Sequence, residues 1–183
     1  QDTQSDPKLA DIEEAFSVEA VTREFFKQYA ELFGDIHQAL EKLVDKEKTI
    51  RDELTAKNVS SVEFAKKLMG QIVFLYFLQK KGWLGVAKGQ DWGTGPRDFL
   101  RQLVGRASSL SSSKANRQDA CSTINFFNDL LEPLFYDTLA TDRGHEAWCK
   151  RFECRIPFLN GGLFEPPGGY DCRKTDILLP NRL

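Results

Sequence analysis

The side chains best suited to chemistry are one histidine and three cysteines in the second half of the chain. His145, Cys149, Cys154 and Cys172 offer the imidazole and thiolate donors that zinc prefers. Structural zinc sites usually use cysteine pairs separated by roughly two to four residues. The gaps here are three, four and seventeen residues, with no second pair. The spacing therefore favours ordinary reduced thiols, and a small zinc protein stays open as an alternative that metal analysis would test.

Other common catalytic patterns are missing from the sequence. Only His37 and His145 could serve as a base for a nucleophile, and no Gly-x-Ser-x-Gly motif accompanies them. The Gly-rich stretch 89–95 lacks the spacing of a phosphate-binding loop. Adjacent carboxylates at 13–14 and 52–53 occur in polar sequence, where solvation explains them better than acid-base catalysis. We therefore expect no catalytic residue, no metal site and no cofactor within this chain.

Charge is unevenly distributed along the chain. The formal net charge is −2, but residues 1–65 contain 8 basic and 15 acidic residues, whereas residues 79–117 contain 8 basic and 2 acidic ones. Trp83 and Trp92 lie among these basic residues, a composition compatible with gripping phosphates while packing aromatic rings. The basic stretch is therefore a candidate for nucleic-acid contact, or its cations simply keep the ends of buried helices soluble; with the family resemblance given below, the hypothesis is contact with the DNA backbone through Lys80, Lys81, Arg97, Arg101 and Arg106.

Hydrophobic periodicity predicts an all-α protein. Apolar residues recur at three- and four-residue steps from Ser17 onwards, which predicts a long amphipathic helix that breaks near Gly34. Residues 44–58 are highly charged and form either an exposed helical extension or a loop. Ser60 and Glu63 form a capping box ahead of a second helix, and the apolar residues of 64–78 predict that this helix is central and buried. A third helix follows Pro96.

The remaining chain is less regular. Serine-rich residues 108–113 predict a loop, residues 123–139 a helical region that restarts at Pro133, and residues 146–151 a short helix. Residues 175–179 could form an edge strand whose partners lie beyond residue 183. We expect a bundle of about five main helices with an irregular C-terminal tail and at most a short hairpin. The predicted units are a lead-in at 1–16, the bundle at 17–152 and an irregular segment at 153–183.

Three stretches together resemble a known family. They are Phe74-Leu75-Tyr76-Phe77-Leu78-Gln79-Lys80-Lys81-Gly82-Trp83-Leu84, Phe126-Phe127-Asn128-Asp129-Leu130-Leu131-Glu132-Pro133-Leu134-Phe135 and Ile156-Pro157-Phe158-Leu159-Asn160-Gly161-Gly162-Leu163-Phe164-Glu165. Their order and spacing are similar to those of type IIG restriction-modification enzymes and the related phage-exclusion methylases. In that family the similar region is the helical connector that precedes the adenine-N6 DNA methyltransferase domain. The turn at Asn160, Gly161 and Gly162 belongs to the most specific of the three stretches.

The resemblance implies a parent protein that binds S-adenosylmethionine, methylates adenine in DNA and, in the restriction members, cleaves DNA with an N-terminal magnesium-dependent nuclease. The family's Asn/Asp-Pro-Pro-aromatic motif would hold the flipped adenine. Here the nearest match is Glu165-Pro166-Pro167-Gly168, which departs at both diagnostic positions, so we interpret it as a loop feature. The implied role is a non-catalytic connector whose partners are the neighbouring nuclease and methyltransferase domains and, through them, DNA.

Two further expectations concern context. The chain starts at Gln1 and stops after the apolar Ile177-Leu178-Leu179, so we expect it to be a segment of a larger protein. It has neither a signal peptide nor a run of the ~20 apolar residues that cross a bilayer, which predicts a cytoplasmic location and no membrane partner. A stand-alone helical module that binds another protein is the alternative function.

Overall fold

The computed structural model describes residues 18–114, 124–159 and 161–181. Four α-helices come first in the chain order: α1 (Val18–Lys46), α2 (Lys48–Ala56), α3 (Ser61–Lys81) and α4 (Phe99–Lys114). Two π-helical segments follow, π1 (Phe126–Leu131) and π2 (Pro133–Leu139), and then the short strands β1 (Trp148–Cys149) and β2 (Cys154–Arg155). Two 3-10 turns, Gly162–Phe164 and Pro167–Gly169, lie in the tail. The predicted helical bundle with an irregular tail and a short hairpin is confirmed.

Helix α1 passes through Gly34 without interruption, so the predicted break is wrong. Gly34 is exposed and has open space around it, and the helix is held on both sides of it because Phe33, Ile36 and Leu40 join the core. A single glycine costs a helix only about 1 kcal/mol, which this packing outweighs. The charged region that follows is also helical, and α2 turns Ile50 and Leu54 into the core.

Helix α3 begins at the predicted capping box. Ser60 Oγ accepts a hydrogen bond from the backbone N–H of Glu63 at 3.2 Å, and Glu63 Oε2 accepts from the backbone N–H of Ser60 at 3.0 Å. The helix ends at Gly82, whose φ of 71° a side chain would disfavour. Eight of its 21 residues are buried, where the helix packs on α1 and the tail, but Val73, Tyr76 and Phe77 remain exposed. The helix is therefore central without being buried all round.

Helix α4 continues through Lys114, so the predicted loop at 108–113 is wrong. The helical region after it does restart at Pro133, as predicted, because proline tolerates the first position of a helix. Both segments there are wider than α-helices. In π2 the N–H of Ala140 donates to the carbonyl of Phe135, five residues back, at 3.0 Å.

The predicted short helix at 146–151 is wrong, because this region forms a hairpin. Strands β1 and β2 are antiparallel, with Trp148 opposite Arg155 and Cys149 opposite Cys154. A backbone bridge from Val86 to Arg155 attaches the hairpin to the loop after α3. Long-range pairing of this kind competes with the local helical preference that the sequence suggested.

The C-terminal tail packs on the bundle. Phe164, Tyr170, Ile177 and Leu179 are all buried in the same core as the helices. The edge strand at 175–179 stays a prediction, because its expected partners lie beyond residue 183; within the described residues this segment has no ladder partner. The division into units at 16 and 152 stays a prediction. Within the described ranges, no helix is both long and apolar enough to cross a membrane.

Candidate functional site

The three family-like stretches converge on the ring of Phe164. Phe74 from α3 and Phe135 from π2 lie with their ring centroids 5.8 Å and 5.6 Å from that of Phe164. Beside them, Gln71 Nε2 donates to the carbonyl of Leu163 at 2.8 Å. Aromatic pairs at these separations stabilise a core beyond the area they bury. The stretches that carry the resemblance thus form one packed centre, although up to 90 residues separate them along the chain.

A buried polar cluster lies next to this aromatic centre. The Tyr170 hydroxyl donates to Glu132 Oε1, and both side chains are almost fully buried. Burial raises the pKa of Glu132 to about 8, the hydrogen bond from Tyr170 opposes that rise, and the charges of Asp176, Asp137 and Asp129 add to it. The carboxyl is therefore mostly protonated at neutral pH.

Two tyrosines complete the cluster. The rings of Tyr136 and Tyr170 meet edge to face, with centroids 6.0 Å apart. Burial raises the pKa of both hydroxyls above the ordinary value, so both phenols stay neutral. The Tyr136 hydroxyl and Gln71 Oε1 are buried without a hydrogen-bond partner within the described residues. A carboxyl with a raised pKa can act as a general acid, but here its neighbours are core side chains. The cluster joins the tail to the junction between π1 and π2.

Sequence reasoning did not identify this cluster. Its members come from positions 71, 132, 136 and 170, and nothing local brings them together. One signal was available, since Glu132 is an acid next to the apolar pair Leu130-Leu131 and just before Pro133. An acid in such surroundings, once buried, needs a hydrogen-bond partner.

The Pro-Pro segment has no adenine-binding geometry. Glu165 is exposed, whereas Tyr170 is 2% exposed and packs on Phe64 with ring centroids 5.6 Å apart. A flipped base is read by hydrogen bonds and by stacking on accessible rings, and Tyr170 has no free face for it. Gly168 has a φ of 59°, and a Cβ there would come within 2.4 Å of Val59 Cγ2. The segment is a tight turn against the loop before α3.

The five predicted DNA-contacting cations are exposed but do not form one row. Lys80 and Lys81 end α3, and Arg97 donates from Nη1 to the carbonyl of Lys80 and from Nη2 to that of Gly93 at 3.4 Å. The guanidinium of Arg97 thus anchors the Gly-rich loop. On α4, Arg101 and Arg106 are five residues apart, which separates their directions by roughly 140°.

The family-motif turn is only partly described. Asn160 lies outside the described residues. Gly161 is exposed with a φ of 138°, a conformation that favours glycine, and Gly162 starts the 3-10 turn that delivers Phe164 to the core. The turn therefore positions the central aromatic ring.

The four predicted soft donors do not converge on one point, although Cys149 and Cys154 lie opposite each other in the hairpin. His145 is exposed, Cys149 and Cys154 are buried in the hairpin, and Cys172 is half-buried in the tail. Burial raises the pKa of Cys154 to about 12, and the charge of Cys149 adds to this. In the described ranges, no three or more histidine, cysteine or acidic side chains are grouped to hold a metal ion.

An apolar groove lies beside the bundle. Its volume is about 320 Å³, and side chains from α1, α3, α4, π1 and the last described residues line it. Arg101 and Asn181 are its polar lining residues. The groove resembles a site for apolar side chains more than a site for a charged cofactor.

The described residues form a mostly helical segment. In sequence, this segment is similar to part of a restriction-modification protein. The chain is 30% identical over 165 residues to a proposed type II restriction enzyme and methyltransferase from Methanocaldococcus jannaschii. The match covers 80% of this chain but 12% of that relative. The chain is thus related in sequence to part of a restriction-modification protein. No family model matches the chain, and no solved structure matches it significantly.

Proposed function

We propose that this chain is the non-catalytic helical connector of a restriction-modification protein. In this proposal the parent is a site-specific adenine-N6 DNA methyltransferase, fused in the restriction type to an endonuclease, that acts on cytoplasmic DNA in phage defence. S-adenosylmethionine and Mg²⁺ bind in the neighbouring domains rather than in this chain. The similarity to the archaeal relative, together with the three family-like stretches, supports this assignment.

The observation that carries the connector role is the way the end of the tail is fixed. Asn181 Oδ1 accepts from the N–H of Phe126 at 2.7 Å, and Asn181 Nδ2 donates to the carbonyl of Ile124 at 2.7 Å. Asn125 Nδ2 donates to the carbonyl of Leu179 at 2.8 Å. We call these three bonds the tail clamp. A connector must hold the chain that leaves it in a defined direction, and the tail clamp provides that rigidity.

The DNA contact is the second part of the proposal. Lys80, Lys81, Arg101 and Arg106 would contact backbone phosphates and steer the parent onto DNA without reading sequence. Arg97 contributes indirectly, because its guanidinium is occupied by two backbone carbonyls and holds the loop next to Lys80.

The assignment is tested with the full parent polypeptide, DNA and tritiated S-adenosylmethionine. The expected result is label in N6-methyladenine. The assignment is refuted if the full parent polypeptide transfers no methyl group to DNA and its sequence contains no methyltransferase motif after residue 183.

The backbone contact is tested by its salt dependence. Neutralising Lys80, Lys81 and Arg106 with glutamine should reduce the slope of log affinity against log salt by about 0.9 for each lost phosphate contact. Lys42→Gln and Lys48→Gln remove exposed cations from α1 and α2 and serve as the control. An unchanged slope in the triple variant contradicts the contact.

The apolar groove supports a second candidate, a stand-alone module that binds a helix of another protein. The two candidates differ in the polypeptide that is expressed. A natural polypeptide that ends near residue 183 and binds a separate protein through the groove favours the stand-alone module. A longer polypeptide in which this chain is fused to a methyltransferase domain favours the connector.

A further inference from the structure

The first described turns of α1 carry an apolar stripe that no other described residue covers. Val21 and Phe25 lie one turn apart on the same face and are 59% and 48% exposed. The face continues to Tyr29, whose ring centroid is 5.9 Å from that of Phe25. Every residue from 21 to 28 is exposed, and Tyr29 is the first of this face to pack against the core. Apolar surface left open over about two turns of a helix marks an interaction site.

The sequence just before α1 has the pattern of a second, short amphipathic helix. Leu9, Ile12 and Phe16 recur at steps of three and four residues, which places them on one face of a helix. Asp6 and Pro7 precede them, and these residue types favour the N-cap and the first position of a helix. The segment thus offers an apolar face of about the same length as the stripe on α1.

The two apolar faces do not belong to one uninterrupted helix. Phe16 precedes Phe25 by nine residues, and at 3.6 residues per turn this separation turns their directions apart by about 180°. If residues 9–16 simply continued α1, their apolar side chains would point away from Val21 and Phe25, and both faces would stay in water. A break just before α1 removes this conflict. Ser17 occupies that place, and serine is preferred at the N-cap of a helix.

We propose that residues 7–16 fold back on α1 as the second arm of a helical hairpin, with Leu9 and Ile12 against Val21 and Phe25. As a helix the segment is about 15 Å long, which carries it past Phe25, about 11 Å along α1 from its first described residue. Its attachment to the start of α1 gives it a high effective concentration at the stripe. The chain then enters the bundle alongside α1 rather than from its tip. This inference does not depend on the proposed function.

The proposal is tested by photo-crosslinking in the full-length protein. Phe25 is replaced by p-benzoylphenylalanine, and crosslinked peptides are identified by mass spectrometry. The expected result is an intramolecular crosslink from position 25 to the peptide that contains Leu9 and Ile12. In a continuous helix Ile12 would be about 20 Å from position 25, beyond the reach of the probe.

The matched control places the same probe at position 27. Lys27 is exposed and points to the other side of α1, about 160° away from Phe25. Because a helix is about 10 Å across, the yield of this crosslink from position 27 should be lower by about tenfold or more. Equal yields from positions 25 and 27 would show that the segment does not dock on the stripe.

Two double variants test which face of the segment makes the contact. Leu9→Asn with Ile12→Asn should lower the crosslink yield from position 25 by about tenfold, because the apolar contacts are lost. Asp11→Asn with Glu14→Gln changes the opposite face of the segment and should leave the yield unchanged. An unchanged yield in the asparagine variant overturns the proposal. So does the absence of a crosslink, or a crosslink from position 25 to a second copy of the chain, to another segment or to a separate protein.

Discussion

Replacement of Glu132 by glutamine should make the chain more stable at high pH. Glu132 is 4% exposed and accepts a hydrogen bond from Tyr170. Burial is the main reason that its pKa rises from the ordinary 4.5 to about 8. Glutamine has nearly the same shape, keeps a carbonyl oxygen for the Tyr170 hydroxyl and never becomes charged. The variant therefore removes the titration and keeps most of the packing.

The sign follows from the direction of the pKa change. Between pH 4.5 and pH 8 the folded state holds a proton that the unfolded state has lost, so the free energy of unfolding falls as pH rises through this window. Below pH 4.5 this contribution is fully present, and above pH 8 it is fully lost. The total is on the order of 5 kcal/mol, at 1.36 kcal/mol per pH unit, and about 3 kcal/mol is lost by pH 7.

The assay is urea unfolding of both proteins at pH 5, 7 and 9, followed by circular dichroism. The Glu132→Gln variant should match or fall slightly below the natural chain at pH 5 and exceed it by several kcal/mol at pH 9. Tyr170→Phe is the control, since loss of the hydroxyl removes the hydrogen bond that holds the pKa of Glu132 down. A stability difference between Glu132→Gln and the natural chain that is constant across pH would refute the reasoning.

Four further substitutions test the fold by urea unfolding. Gly168→Ala should cost about 1–3 kcal/mol, since its φ is 59° and the new Cβ would meet Val59 at 2.4 Å. Gly169 also has a positive φ, of 69°, but open space around it. Gly169→Ala should therefore cost less, about 1 kcal/mol, and the difference between the two variants measures the clash with Val59. Equal losses of stability would rule that clash out. Ser60→Ala should cost about 1 kcal/mol by removing the capping box; no loss would mean that the cap is dispensable. Phe164→Ala should cost about 3–5 kcal/mol, since its ring is 1% exposed at the centre of the core; a loss below 1 kcal/mol would contradict that placement.

Local signals in the sequence predicted local structure well. The capping box at Ser60 and Glu63, the C-terminal glycine at Gly82 and the restart at Pro133 all act through backbone groups within a few residues. Their effect is therefore almost independent of the rest of the chain. The apolar periodicity of α1 likewise predicted a long helix, and only the break near Gly34 was wrong.

The errors arose where distant residues decide the structure. Residues 146–151 form part of a hairpin because Arg155 pairs with Val86, about 70 residues away. The attachment of the tail is equally long-range, since the Asn125 side chain donates to the carbonyl of Leu179 and the Asn181 side chain accepts from the N–H of Phe126. The buried cluster of Gln71, Glu132 and the two tyrosines is the extreme case. The basic residues could be identified in the sequence. Only the fold showed that the Arg97 guanidinium donates to the backbone carbonyl of Lys80.

Several separate hydrogen bonds attach the tail, and three of them make a prediction about how it detaches. Gln71 binds the carbonyl of Leu163, Glu132 binds Tyr170, and Asn181 binds the start of π1. Each bond contributes about 1 kcal/mol, so one variant alone should leave the tail docked. The loss from Asn181→Ala should add to that from Gln71→Ala or Tyr170→Phe, because Asn181 lies outside the buried cluster, whereas Gln71→Ala and Tyr170→Phe alter the same cluster and should not add to each other. Hydrogen exchange at tail amides should accelerate strongly only in the triple variant. Full release by Asn181→Ala alone would mean that the tail clamp carries the attachment and that the buried cluster is secondary.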